Sequence, residues 1–131
     1  MLICILQRAT KKRSHNVSIL ILTLANSGSI YPLPPSFYTV KAQLIKAITG
    51  VKKIIVVELQ GEAWGPQMPN EMTIDEQSKS MNPEKFKNIA EYARSTGFSE
   101  SYFWGVEYWY WLKTVKGEPG MWDEAKKIFM E

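Results

Sequence analysis

Two carboxylates and a tryptophan stand close together in "KKIIVVELQGEAWG", residues 52 to 65. Glu58 follows directly on four β-formers, Ile54 to Val57, and Glu62 and Trp64 come within six residues of it. A carboxylate at the end of a buried strand costs desolvation unless a partner or a substrate uses it. It is therefore either a general acid, base or nucleophile, or a strand-end residue paired with a neighbouring lysine. Glu62 does not simply complete a catalytic pair with it. Four extended residues span roughly 13 Å, whereas glycosidase carboxylates sit about 5 to 5.5 Å apart in retaining enzymes and about 6.5 to 9.5 Å apart in inverting ones. Glu62 reads as a supporting or substrate-contacting residue.

The second dense feature is "FWGVEYWYW", residues 103 to 111, with Trp104, Glu107, Trp109 and Trp111. Such a cluster serves as an aromatic core or an interface, or as a platform for flat ligands such as sugar rings. Trp104 is expected to hold on its strand the place that Glu58 holds on the earlier one. An indole face beside a carboxylate suits a pyranose, whose C–H surface stacks while its hydroxyls take hydrogen bonds. Glu107 would bond a hydroxyl or hold a catalytic side chain in place.

Other chemistries are excluded by composition. A single cysteine, Cys4, allows no internal disulfide, and no Cys/His cluster exists for zinc. The one histidine, His15, lies far from the aromatic half, so acid/base work falls to carboxylates or tyrosines. Neither metal nor cofactor is expected. The net charge of +3 hides an asymmetry. Residues 1 to 57 hold eight Lys/Arg and no acid, and residues 58 to 131 hold eight Lys/Arg and all thirteen acids. The positive charge gathers in Arg8, Lys11, Lys12 and Arg13, which reads as a basic tail and not as a nucleic-acid surface.

The elements that would position these residues follow from pattern. Three prolines precede "SFYTVKAQLIKAITG", where Phe37, Val40, Leu44, Ile45 and Ile48 recur at helical spacing between Ser36, a candidate cap, and Gly50. Lys53 to Glu58 is an apolar run without alternation, as in a strand covered on both faces. Thr73 with Glu76 makes a capping box, and Asn82–Pro83–Glu84 opens a longer helix closed by Gly97. "ESYFWG" reads as a second strand, "VEYWYWLK" as a loop or helical turn, and "PGMWDEAKKIFM" as a last helix with Trp122, Ala125, Ile128 and Phe129 inward. Alternating buried strands and helices imply an α/β fold with a parallel sheet, whose ligands gather at the carboxyl ends of the strands. Residues 29 to 131 form that unit. Residues 1 to 28 admit three readings: Val17 to Leu24 as a buried strand, a secretory signal or anchor ending near Ala25, or a start of no structural meaning.

"IIVVELQGEAWG" and "GFSESYFWGVEYWYWLK" together resemble the C-terminal part of retaining glycoside hydrolases of the (β/α)8-barrel superfamily, which includes cellulases and β-galactosidases, and within it a bacterial cellulase-like group. The resemblance covers residues 31 to 129. It implies a partial (β/α)8 barrel, about the last three βα units, with strand seven ending in Glu58 as the nucleophile and strand eight carrying Trp104 as the floor of a sugar subsite. Val17 to Leu24 would serve as strand six. Glu62, Trp64, Glu107 and Trp109 would contact the substrate, an oligo- or polysaccharide. Ala63 stands where the group has Pro. A complete barrel needs about 250 residues, and the superfamily's acid/base Glu follows strand four. No acid precedes Glu58 here, so the expectation is a fragment inactive alone and completed by an upstream polypeptide. The alternatives are a non-catalytic carbohydrate-binding or interaction module, and a membrane-tethered protein. Cytoplasmic placement is expected unless residues 1 to 25 act as a signal, and a membrane role is not expected otherwise.

Overall fold

A computed structural model of the chain describes residues 3–7 and 33–130. Eight elements follow in order: β1 (Ile3–Gln7), α1 (Pro35–Thr49), β2 (Val56–Gln60), α2 (Ile74–Ser80), α3 (Pro83–Ser95), β3 (Glu100–Trp104), α4 (Val106–Val115) and α5 (Gly120–Met130). The three strands form one sheet in the order β1-β3-β2. The fold is mixed α/β, and the parallel pairing expected of the two chemically loaded strands is present between β2 and β3.

The sheet is not wholly parallel, which corrects the sequence expectation. β1 runs antiparallel to β3, from Ile3 beside Trp104 to Gln7 beside Glu100. Residues 3 to 7, part of the ambiguous start above, thus supply an edge strand. The expected strand at Val17 to Leu24 lies outside the described residues.

Local signals set the helices. Thr73 and Glu76 make a reciprocal capping box on α2, which satisfies two otherwise orphaned N–H groups. Asn82 accepts from the Lys85 amide at 2.9 Å and Pro83 opens α3. Gly50 closes α1 in the left-handed conformation, its N–H donating to the Lys46 carbonyl. Ser36 is not the cap of α1, which begins at Pro35 after Pro34 and has no side-chain cap. "VEYWYWLK" is fully helical: Gly105 at φ 104 turns the chain directly from β3 into α4.

The core lies on one face of the sheet. Val56 and Leu59 of β2 and Phe103 of β3 pack with Phe86 and Ala90 of α3, Trp109 and Leu112 of α4, and Ala125 and Ile128 of α5. The Phe86 ring lies 4.6 Å from that of Phe103 and 4.7 Å from that of Trp109. Trp122 and Phe129 pack against this core as partly buried residues, as expected of α5. On the other face Glu100, Tyr102 and Trp104 are only half-buried. There Lys53 pairs with Glu100, whose other oxygen accepts from the Tyr102 hydroxyl at 3.2 Å.

The apolar residues that recur at helical spacing in α1 are mostly exposed, Ile45 alone of them being half-buried. The buried residues of the helix are Tyr38 and Ala42, whereas Val40, Leu44 and Ile48 are 63%, 59% and 76% exposed, with Phe37 exposed beside them. The helix is tied to α3 by a Tyr38–Tyr92 edge contact and by the Thr39 hydroxyl donating to the Thr96 carbonyl at 2.8 Å. Most of its apolar stripe faces away from the core.

Candidate functional site

The carboxyl ends of the two parallel strands meet, and two glycines make that possible. A Cβ on Gly61 would lie 2.5 Å from the Trp104 carbonyl oxygen and 2.6 Å from the Trp109 ring. A Cβ on Gly105 would lie 2.9 Å from that of Glu62 and 3.0 Å from its amide nitrogen. The loop after β2 and the turn after β3 are thus pressed backbone against backbone. The Trp109 indole N–H donates to the Gly61 carbonyl and clasps the two together. Trp109 is 1% exposed, so it holds the loop from within the core and cannot meet a ligand. That corrects its expected place among the substrate-binding residues.

Glu58 does not terminate its strand. β2 runs on to Gln60, and the register places Val56 beside Ser101 but Leu59 beside Phe103. Two residues, Val57 and Glu58, therefore oppose the single Tyr102, a β-bulge that re-aims side chains locally. Glu58 is half-buried at that bulge. The residue in register with Trp104 is Gln60, not Glu58. Gln60 is buried, and its amide donates to the Glu62 carbonyl at 3.0 Å, bracing the loop from below.

Beyond Gln60 the chain carries Glu62 to Gly105 and Trp64 to Trp104. The Trp64 and Trp104 rings meet edge to face, 5.9 Å apart at 75°. Trp64 is 55% exposed and Trp104 half-buried, so the two indoles form a corner open to solvent. The Trp64 amide donates to the Ser80 hydroxyl at 2.9 Å, which fixes the loop to the end of α2.

The electrostatics single out Glu62. Burial pushes its carboxyl above the usual range, and repulsion from Glu107 pushes the same way. Glu107 lies in the first turn of α4, where the helix dipole favours an anion. The two acids belong to different strand ends, Glu62 to β2 and Glu107 to β3. Sequence spacing could compare Glu62 only with Glu58 and missed the approach. Glu62 also helps to push the Tyr108 hydroxyl up to about 12, after burial as the larger cause. Tyr108 therefore stays protonated and donates to the Gln77 side-chain oxygen at 2.9 Å. The Gln77 amide in turn donates to the Pro69 and Met72 carbonyls at 2.8 and 2.9 Å. Buried Gln77 thus stitches the loop between β2 and α2 to α4. Nothing in "TIDEQSKS" marks it out from its solvated neighbours.

The arrangement offers an open aromatic corner, two carboxyls from different strand ends, Glu62 and Glu107, of which the first is raised mainly by burial, and the half-buried Glu58 at the bulge within β2. Among the described residues no group of three or more His, Cys, Asp or Glu side chains converges to hold a metal ion. No described helix is long and apolar enough to cross a membrane. Comparison with family models, with curated proteins and with solved structures finds no match to this chain.

Proposed function

We propose that this chain is the C-terminal part of a retaining glycoside hydrolase barrel that acts on a β-linked carbohydrate. The observation that carries the proposal is the parallel β2–β3 pair, because it gathers Glu58, Glu62, Trp64, Trp104 and Glu107 toward one carboxyl edge. Parallel α/β sheets and barrels bind their ligands at that edge. The corner of Trp64 and Trp104 is the platform for a sugar ring, and Glu62 and Glu107 bond its hydroxyls. Glu58 is the nucleophile that attacks the anomeric carbon and forms the glycosyl-enzyme ester.

Two further features support a partial barrel. The Val40–Leu44–Ile48 stripe of α1 and the half-buried face of the sheet are surfaces that neighbouring βα units would cover. An upstream polypeptide supplies those units and the acid/base carboxyl, since no acid precedes Glu58 in the sequence; its first strand would have to displace β1, which lies antiparallel along that edge of β3. That acid protonates the leaving oxygen and then activates water for the second displacement.

A second reading is a non-catalytic sugar-binding module. The exposure of Trp64 beside Trp104 favours it, because stacking on this corner needs no catalytic pair. The experiment that separates the two adds a polypeptide carrying the missing strands and follows release of an aryl group from a β-glycoside. The barrel reading expects turnover that vanishes with Glu58→Gln. Turnover retained by Glu58→Gln would overturn the nucleophile assignment. Sugar quenching of tryptophan fluorescence with no turnover in any combination would favour the binding module.

A further inference from the structure

We propose that the groove beside Trp64 holds a second pyranose unit, so that the site reads an oligosaccharide and not a single sugar; this rests on the saccharide reading above and extends it to α2. The groove has a volume of about 370 Å³ and lies between the loop after Trp64 and the exposed side of α2. That is within the size range of small-ligand clefts, roughly 300 to 1,000 Å³. Trp64 is one wall and Met72 lines the base, where Gly65 leaves the thioether no side chain to contend with. An aromatic wall over an apolar base matches the C–H face of a pyranose.

The lips of the groove are polar and of both signs. Glu76 accepts from the Thr73 amide and hydroxyl, each at 2.8 Å, and these bonds hold its carboxyl below the usual range. It remains an anionic acceptor at neutral pH. Lys79, one helical turn away, supplies donors, and Gln67 on the opposite lip supplies a donor and an acceptor. The Ser80 hydroxyl is held by the Trp64 amide and by the Gln77 carbonyl, so it keeps the wall in place. A neutral ring bearing hydroxyl groups meets both signs at once, whereas an ionic ligand would face a like charge at one lip. Trp64 is shared between this groove and the corner with Trp104. A unit on Trp104 and a unit in the groove are therefore neighbours along one chain.

The test is a titration of the chain, followed by tryptophan fluorescence, with β-linked gluco-, manno- and xylo-oligosaccharides of two and four units. The four-unit form of one series is expected to bind more tightly than its two-unit form. The double substitution Gln67→Ala/Lys79→Ala, at two exposed positions, should weaken the four-unit ligand about tenfold, the equivalent of one to two hydrogen bonds. It should leave the two-unit ligand and the melting temperature unchanged. Trp104→Ala should weaken both ligands. If Trp104→Ala weakens both and the double substitution weakens neither, the groove inference is overturned and the saccharide reading stands. If no oligosaccharide of the three series binds, both fall together.

Discussion

Helices α1 and α3 each precede a strand of the parallel pair, each begins with proline, and each shows apolar residues at helical spacing. α3 buries Phe86, Ala90 and Ala93 against the sheet and the other helices. α1 buries only Tyr38 and Ala42, and turns Val40, Leu44 and Ile48 to solvent. Periodicity reports that a helix owns an apolar face; it does not report whether this chain covers it. The contrast extends to the sheet, which is closed on the side of α3, α4 and α5 and half-open on the other. Among the described residues, the barrel reading proposed above accounts for this contrast, and each part of it can be tested.

The largest effect should come from the closed side. Phe86→Ala removes a fully buried ring packed on Phe103 and Trp109, and should cost about 3 to 5 kcal/mol in denaturant unfolding. A cost below about 1 kcal/mol would break the comparison, because α3 would then be no better packed than α1. Next comes the seam between the two sides. Gly61→Ala places a methyl group against backbone and the Trp109 ring, and should cost about 1 to 3 kcal/mol. It should also change the environment of Trp104 in near-ultraviolet circular dichroism; an unchanged spectrum and melting curve would mean that the loop has room to spare.

Capping sharpens the comparison at smaller scale. Asn82→Ala deletes the cap of α3 and should cost about 1 kcal/mol, whereas α1 has no side-chain cap to lose. On the open side, Leu44→Ser should change the stability of the chain by no more than about 0.5 kcal/mol. A loss of about 2 kcal/mol would show that the stripe is already covered. If the barrel reading holds, the same substitution should also weaken association with a polypeptide that carries the missing strands.

The smallest effect is a pH slope. The Glu62 carboxyl is raised above its ordinary value of 4.5 in the folded chain, so the folded state binds more protons than the unfolded state just above that value. Stability therefore falls as pH rises from about 4.5 through the raised value. Glu62→Gln should flatten that part of the pH–stability profile, and an unchanged slope would mean that neither burial nor Glu107 raises the Glu62 carboxyl in the folded chain.

What could be read from the sequence was mostly local. The Thr73–Glu76 box, the Asn82–Pro83 start and the Gly50 stop are each decided within a few residues, and they mark the helix ends. The bounds of β2 differ from those of the apolar run because Ile54 and Ile55 are buried before the ladder with β3 begins. An apolar run records burial, while strand limits depend on the partner. The bulge at Val57 and Glu58, the antiparallel β1 and the approach of Glu62 to Glu107 all depend on contacts distant in sequence, for which no short-range pattern exists. Trp104 and Trp109 differ by five positions in the same aromatic run, yet one lines an open corner and the other is locked in the core. Their residue type carries no sign of which. Only the pairing of Gly61 with the Trp109 indole separates them.

The central claim is that Glu58 is a glycosidase nucleophile, and covalent trapping tests it most directly. A dinitrophenyl β-glycoside fluorinated beside the anomeric carbon needs little help from a general acid to react, and its glycosyl-enzyme ester turns over slowly. The chain with its completing polypeptide, incubated with such gluco-, manno- and xylo- probes, should gain the mass of one sugar. Peptide mapping should place it on Glu58, and Glu58→Gln should gain none. Labelling of another carboxylate, or no labelling of the completed barrel by any of the three probes, would contradict the claim.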